Sequence, residues 1–190
     1  MKNTINIYLE DTSKNFINLK KESSNIEAAI NIIINALKKN NKIFFCGNGG
    51  SAGDSQHLAA ELMGRYKKDR NPLAAIALTV NTSVITAIGN DYGYEKIFSR
   101  QLEGIGNSGD VLIGISTSGN SQNIIEAMES AKKKKIKIIC FTGNKETKMT
   151  SLADCTIFTP SSETNQIQEM HIAIGHLICG IVEEEIFGKS

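Results

Sequence analysis

A histidine and a glutamate stand four residues apart in the segment QHLAAELMGR, which spans residues 56–65. If this segment is helical, His57 and Glu61 share one face, because residues four apart lie one above the other on an α-helix. An imidazole beside a carboxylate can exchange protons with a bound molecule. Such a pair is more often a surface hydrogen bond, but this one lies one helical turn beyond a candidate phosphate loop, which favours a site.

That loop is the segment CGNGGS at residues 46–51, which follows a short apolar run. Glycines let the backbone approach a ligand closely, and a helix beginning near Ser51 would offer unpaired N–H groups and the positive end of its dipole. Ligands in open α/β folds bind at the carboxyl ends of the strands. The segment therefore predicts an anion-binding turn.

A dinucleotide site is the alternative for the same segment, since Gly47, Gly49 and Ala52 match a loose nucleotide-binding fingerprint. That fingerprint requires an acidic residue at the end of the second strand to hold a ribose hydroxyl. The sequence there is ALTVN at residues 77–81, without an acid. We expect no nucleotide cofactor.

A second candidate loop, STSGNS at residues 116–121, follows another apolar run. Its four hydroxyls, on Ser116, Thr117, Ser118 and Ser121, can donate several hydrogen bonds to one phosphate without a lysine. Capping a helix needs only one of them. Four hydroxyls at a strand-to-helix turn favour an anion cradle.

Polar side chains recur in the last predicted helix, where QEMHIAIGH spans residues 168–176. A buried polar group needs a hydrogen-bond partner. Several polar groups in one apolar helix therefore indicate a functional site rather than unrelated substitutions. Gln168 and His176 are candidates for that site. We interpret His171 as structural or peripheral.

The elements that position these residues begin with two amphipathic helices, whose apolar residues step by three, four or seven positions. Their apolar positions are Ile5, Leu9, Phe16 and Leu19 in the first helix, and Ile26, Ile30, Ile33 and Leu37 in the second. Ser23 or Ser24 is predicted to cap the second helix, with Glu27 completing a capping box.

Five short apolar runs then alternate with helical stretches, and their continuous apolarity is typical of parallel strands covered on both faces. The predicted strands are residues 42–46, 74–78, 111–116, 136–141 and 155–158. The sequence predicts an α/β fold: a three-layer α/β/α sandwich, flavodoxin-like, with a five-stranded parallel sheet. We expect one domain over residues 1–190. Residues 1–40 would form the N-terminal helices, and residues 41–190 would form the α/β core, with a last helix at about 165–187.

The composition fits a soluble globular protein, with 41% hydrophobic residues, 22% charged residues and a net charge of +1. The lysine run at residues 132–135 is interpreted as a solvated helix face, so we expect no nucleic acid partner. The four cysteines form no C-x-x-C pair and are predicted to be buried and reduced. Without a signal-like stretch or a run of about 18 apolar residues, we expect a cytoplasmic protein that does not enter the membrane.

The combination of GNGGS, HxxxE, GND at residues 89–91, STSGNS and IQExHxxxxH resembles the phosphoheptose isomerases of the sugar isomerase (SIS) domain family. This resemblance implies an aldose–ketose isomerase that converts sedoheptulose 7-phosphate to D-glycero-D-manno-heptose 7-phosphate through an enediol, for heptose in lipopolysaccharide-type glycans. It also implies a homotetramer with active sites between subunits.

The same resemblance implies residue roles. Glu61 and His176 would be the catalytic acid/base pair, and zinc would be held by His57, Glu61, Gln168 and His176. The residues expected to contact substrate are Asn48, Gly49, Gly50, Ser51, Glu61, Asn90, Asp91, Ser116, Thr117, Ser118, Ser121 and Gln168. Gln168 and His176 are separated by a rise of about 12 Å on a straight helix, so they can share a metal only by leaning together.

One departure from the family pattern is Gln166, where relatives often carry a basic residue immediately before Ile-Gln-Glu. The loss of that basic residue would affect substrate preference near that turn. Two other functions stay open: a noncatalytic SIS-domain regulator that binds a replication initiator protein, and an isomerase of another phosphosugar. Such regulators typically lose the carboxylate and the final imidazole, both of which are present here.

Overall fold

The computed structural model describes residues 1–188 and opens with two helices, α1 (Lys2–Asn18) and α2 (Ser23–Leu37), joined by a 3₁₀ turn at Leu19–Glu22. Both helices were predicted from the apolar spacing. They differ in burial: α2 buries an apolar face, whereas none of the described side chains of α1 is buried in the single chain. The apolar stripe of α1 therefore has no complete cover within one chain.

The start of α2 differs from the prediction. Because the 3₁₀ turn runs directly into the helix, Glu22 takes the N-cap position and neither serine caps the helix. Ser23 donates to the Lys20 carbonyl instead, at 2.7 Å. Glu22 accepts from the Phe158 amide at 3.2 Å, which ties this end of α2 to the sheet. The predicted capping box at Ser24 is therefore wrong.

The sheet has the five parallel strands that the apolar runs predict, in the order β2-β1-β3-β4-β5. The strands are β1 (Ile43–Gly47), β2 (Ala75–Ala77), β3 (Val111–Ile115), β4 (Lys137–Thr142) and β5 (Cys155–Phe158). Every residue of β1 and β3 is buried, as expected for central strands with helices on both faces.

Within residues 1–188, six further α-helices connect the strands or follow them. They are α3 (Gly50–Met63), α4 (Thr82–Tyr92), α5 (Ser99–Ile105), α6 (Gln122–Lys133), α7 (Lys148–Leu152) and α8 (Thr164–Phe187). Successive strand residues point to opposite faces of the sheet, so Ile43 and Phe45 join a core with α2, α3 and α8, while Phe44 and Cys46 join a core with α5, α6 and α7. The result is the predicted three-layer α/β/α sandwich.

The two phosphate-type loops begin side by side. β1 pairs with β3 in a register that sets Gly47 level with Ile115. The chain leaves β1 toward β2 and leaves β3 toward β4, so the two connections run in opposite directions from adjacent strands. A crevice opens at such a switch point, and ligands of open α/β folds bind there.

Smaller predictions agree with the structure. Cys46, Cys140, Cys155 and Cys179 are buried free thiols. Burial raises the pKa of the Cys46 thiol well above its ordinary value, which keeps it protonated and unreactive. Within residues 1–188, no helix has the length and apolar character needed to cross a bilayer.

Candidate active site

An amide pair joins the glycine loop to the first turn of α6, which directly follows the serine loop. Asn48 donates to Asn123 at 2.9 Å, and Asn123 donates back to Asn48 at 2.8 Å. Tyr94 donates to the same Asn48 oxygen at 3.0 Å. With its oxygen occupied by two donors, Asn48 keeps one N–H free to face a ligand. Sequence reasoning missed Asn123 and Tyr94, because nothing local indicates a contact across 75 residues.

The glycine loop needs its glycines for two different reasons. Gly49 has φ +56°, a conformation that disfavours other residues. At Gly47, a Cβ would lie 2.4 Å from the Ser51 carbonyl oxygen. At Gly50, a Cβ would lie 2.8 Å from Nε2 of Gln168, so this predicted site residue on α8 rests directly against the loop.

The serine loop gathers its hydroxyls around Ser116. The Ser116 hydroxyl lies 2.9 Å from that of Ser121 and 3.4 Å from that of Ser118. Gly119, with φ +64°, makes the turn that brings them together. Thr117 and Ser118 also line a cavity of about 340 Å³ that extends over the ends of β4 and β5. The structure therefore brings these hydroxyls together as neighbouring neutral donors, and their contact with an anion stays a prediction.

Close packing of α3 on α8 sets the other half of the site. The two helices run in the same direction, since Gly50 meets Gln168 at one level and Leu58 meets Gly175 further along. A Cβ at Gly175 would lie 2.5 Å from both terminal methyls of Leu58. The absence of a side chain at this position lets the helices approach and brings the residues beside Leu58 and Gly175 face to face.

Those neighbours are His57 and His176, whose Nε2 atoms lie 2.7 Å apart. His57 Nε2 is also 3.3 Å from Oε1 of Glu61, one helical turn along α3. The structure thus brings together three of the predicted site residues. The His57 side chain remains 47% exposed, and that of Glu61 20%, so the cluster is open to a ligand.

The donor set suits a zinc ion. One ligand atom from each of His57, Glu61 and His176 lies within 4.8 Å of the others. Zinc bonds of about 2.0–2.1 Å place tetrahedral ligands roughly 3.3 Å apart, so the carboxylate spacing fits and the two imidazoles need to separate slightly. Gln168 lies against Gly50, and Gly50 precedes His57 by seven residues on α3, a helical rise of about 10 Å. The role of Gln168 as a fourth ligand therefore stays a prediction.

Asp54 belongs to the same helix face and was missed from the sequence. It precedes His57 by three residues and Glu61 by seven, spacings that could have revealed it. Its Oδ2 atom is buried and has no hydrogen-bond partner among the described residues. Burial raises the pKa of Asp54, opposed by the nearby imidazoles of His57 and His176. Asp54 therefore adds an acidic group beside the cluster.

Asn90 and Asp91 are not brought to this site within one chain. They lie exposed at the C-terminal end of α4, where Asn90 donates to Asp91 at 2.8 Å. Within residues 1–188, no hydrogen bond links them to either loop or to the histidine cluster. Their predicted contact with substrate stays a prediction.

His171 has the structural character that we expected. It is completely buried, and its Nε2 donates to the Thr142 carbonyl at 3.2 Å. Burial lowers the pKa of His171 to about 4, so the ring is neutral at physiological pH. Gln166 likewise makes internal contacts, accepting from Asn15 at 2.8 Å and from Ser161 at 2.9 Å.

Comparison with known proteins agrees with this geometry. Residues 8–143 match the SIS domain. Phosphoheptose isomerase from Akkermansia muciniphila is 56% identical over 174 residues, which is 92% of either chain. The Rhodospirillum rubrum phosphoheptose isomerase is 48% identical over 186 residues, 98% of this chain and 99% of its own.

Solved structures give the same result. Phosphoheptose isomerase from Neisseria gonorrhoeae superposes with a TM-score of 0.91 and 37% identity, over 96% of this chain and 98% of that one. The Francisella tularensis phosphoheptose isomerase superposes with a TM-score of 0.92 and 34% identity, over 96% and 97%. The chain therefore belongs to the SIS-domain family and, within it, to the phosphoheptose isomerases.

Proposed function

We propose that this protein isomerises sedoheptulose 7-phosphate to D-glycero-D-manno-heptose 7-phosphate. The observation that carries the proposal is the convergence of His57, Glu61 and His176 beside two loops that present neutral hydrogen-bond donors. Family membership supports the same activity, since relatives of about half-identical sequence are phosphoheptose isomerases.

The loops would hold the phosphate. Ser116, Ser118 and Ser121 would offer hydroxyls from one loop, and Asn48 in the neighbouring loop would offer the N–H that it does not give to Asn123. The N-termini of α3 and α6 add unpaired amides and the positive ends of two helix dipoles. Binding the phosphate in this way positions the carbonyl end of the sugar for reaction.

The helix cluster would carry out the proton transfers. Glu61 takes the proton from C1 of the ketose, the C1–H electrons form the C1=C2 bond, and the C2 oxygen takes a proton from His176. This gives the enediol. The C1 hydroxyl then returns a proton to His176, and the C1=C2 electrons take the proton from Glu61 at C2, which leaves the aldose and both side chains as they began. Positioned acid–base groups of this kind contribute about a hundred- to ten-thousand-fold in rate.

Zinc is the cofactor that we propose for this cluster, held by His57, Glu61, His176 and Gln168. When bound, it would polarise the substrate's oxygens and stabilise the negative charge of the enediolate. Glu61 has a second carboxylate oxygen, so one can remain available for the proton. Metal analysis of gently purified protein tests this, with one zinc per subunit expected. Activity that survives chelation, with no metal present, would exclude zinc.

A homotetramer with active sites between subunits fits the exposed surfaces. The apolar side chains of α1 that remain exposed are Ile5, Ile7, Tyr8, Leu9, Phe16 and Ile17. In addition, an apolar groove of about 520 Å³ lies between α2 and α8. Exposed Asn90 and Asp91 could reach a substrate on a neighbouring copy. We therefore propose that α4 of one subunit completes the site of another.

Refolding two inactive variants together tests directly whether each active site is shared between subunits. Glu61→Gln and Asp91→Ala chains are purified separately, shown to be inactive, denatured and refolded together. If each site uses Glu61 from one chain and Asp91 from another, mixed tetramers contain some intact sites and regain part of the activity. No recovery, despite mixed tetramers confirmed by native mass spectrometry, would place both residues in the same chain's site.

The substrate is tested by incubating the protein with sedoheptulose 7-phosphate, fructose 6-phosphate and ribulose 5-phosphate, and following aldose formation by NMR. We expect turnover of the heptulose. Preference for a shorter ketose would favour an isomerase of another phosphosugar. The noncatalytic regulator is disfavoured, because the carboxylate and imidazole that such relatives lose are both present and in contact range here.

The free thiols support a reducing, cytoplasmic location as part of this proposal. Heptose 7-phosphate would there feed synthesis of a lipopolysaccharide-type glycan. The genes adjacent to the coding sequence test this last step, since heptose kinases and transferases are expected among them.

A further inference from the structure

The segment between α3 and β2 is tied to α8 by one buried carboxylate. Glu183 accepts backbone N–H groups from Tyr66 at 3.2 Å, Lys67 at 2.9 Å and Lys68 at 3.0 Å. It also accepts from Nε of Arg70 at 3.1 Å. Four donors satisfy both oxygens, and they hold three successive residues of the segment against the helix.

Arg70 uses its remaining donors to close the end of α3. It donates to the carbonyls of Leu62 at 2.7 Å, Gly64 at 3.0 Å and Glu61 at 2.8 Å. These groups lie at the helix C-terminus, where carbonyls lack intrahelical partners. The Arg70 and Glu183 side chains are 2% and 1% exposed. Such a buried pair is costly unless every group is bonded, as it is here.

The result is a fixed position for Tyr66. Its ring lies parallel to the His176 imidazole, with centroids 5.9 Å apart and planes at 20°. It also covers Gly180, where a Cβ would lie 3.2 Å from the tyrosine Cε1. His176 also meets the His57 ring edge to face, at 4.9 Å and 80°. The His176 imidazole thus has an aromatic neighbour on α3 and another, Tyr66, in the segment that follows it.

We propose that Tyr66 is a positioning residue for His176 and that the Arg70–Glu183 pair holds Tyr66 in place for this purpose. An imidazole in a half-open cluster can rotate about its Cβ–Cγ bond, and a flat ring against its face restricts that rotation. The hydroxyl of Tyr66 plays no part. The inference rests on the proposed role of His176 in proton transfer and metal binding.

The test compares Tyr66→Leu with Tyr66→Phe, because phenylalanine keeps the ring and leucine removes it. For Tyr66→Leu we expect kcat to fall at least ten-fold with KM within two-fold of wild type, and zinc affinity to fall several-fold in competition with a chromogenic chelator. Tyr66→Phe should match wild type in all three. Circular dichroism and Tm show whether each variant is folded.

Equal kcat and zinc affinity in folded Tyr66→Leu would overturn the proposal. So would an equal loss in Tyr66→Phe, because the hydroxyl would then be responsible. If Tyr66→Leu does not fold, Glu183→Gln provides the second variant: it loosens the segment and should lower kcat and zinc affinity, whereas unchanged values would refute the role of the pair. Zinc affinity also separates this inference from the proposed activity, since it can be measured whichever sugar is turned over.

Discussion

The loop half of the site and the helix half are built by opposite means. The loops take their donors from short stretches of chain, and Ser116, Ser118 and Ser121 come together because all three lie within one six-residue turn. On the helices, His57 and His176 are 119 residues apart in the chain and meet only because α3 packs on α8. The proposed phosphate site is thus encoded locally, whereas the proposed catalytic cluster depends on tertiary packing.

The two halves also differ in the groups they present. The loops offer neutral hydroxyls, amides and helix N-termini, which can hold a phosphate without changing protonation. The helices offer a carboxylate and two imidazoles, which can gain or lose protons. Substitutions in the loops should therefore raise KM, and substitutions in the helix cluster should lower kcat.

The largest effect is expected from Glu61→Gln. The amide has nearly the shape of the carboxylate but cannot take the proton from C1, so kcat should fall by about a hundred- to ten-thousand-fold. KM should change little, because the loops still hold the phosphate. Steady-state rates with sedoheptulose 7-phosphate measure both constants.

Glu129→Gln is the matched control, since Glu129 lies on α6 in a partly exposed ion pair with Lys148 at 3.0 Å. That variant should behave as wild type. A Glu61→Gln enzyme with wild-type turnover would remove Glu61 as the base and would leave the helix half without its main catalytic group.

The next effect is expected from Ser118→Ala combined with Ser121→Ala. Hydrogen bonds to charged groups are worth about 1.5–3 kcal/mol each, so even at the lower figure the loss of two phosphate donors should raise KM by about a hundred-fold. The value of kcat should fall much less. Ser108→Ala, an exposed serine at the opposite end of β3, is the control. An unchanged KM in the double variant would contradict the phosphate role of the loop.

A smaller rise in KM is expected from substitutions that remove the hydrogen bonds between Asn48 and Asn123. Asn123→Leu keeps the size of the side chain and removes both hydrogen bonds to Asn48. At about 0.5–1 kcal/mol for each lost bond, KM should rise about five- to thirty-fold. Tyr94→Phe removes only the hydroxyl contact and should raise KM less. If both variants keep the wild-type KM, the orientation of Asn48 does not matter for binding.

This contrast explains what the sequence could predict. The strands, the two loops and the His57–Glu61 pair follow from local patterns that the structure confirms. The bond between Asn48 and Asn123, the stacking of Tyr66 on His176 and the start of α2 at Ser23 depend on contacts with distant segments. Spacing along one helix could have indicated Asp54, but its burial beside two imidazoles could not be predicted without knowing how α8 packs.

The smallest effect on turnover is expected from Gly175→Ala, which tests the packing of the helix half. The added Cβ would lie 2.5 Å from the methyls of Leu58, which is 1% exposed and has little room to move. Overpacking of this kind costs about 1–3 kcal/mol, so Tm should fall. Because α3 and α8 are pushed apart next to His57 and His176, kcat should also fall a few-fold while KM stays constant.

Gly53→Ala is the control for the same chemical change in a helix. A Cβ at Gly53 meets nothing within 4 Å. Since alanine favours a helix over glycine by about 0.8–1.0 kcal/mol, this variant should be slightly more stable than wild type and equally active. If Tm falls in Gly175→Ala and rises in Gly53→Ala, the short distance between α3 and α8, and not helix propensity, is what requires glycine at position 175. A Gly175→Ala protein as stable and active as Gly53→Ala would mean that the cluster does not depend on this close approach.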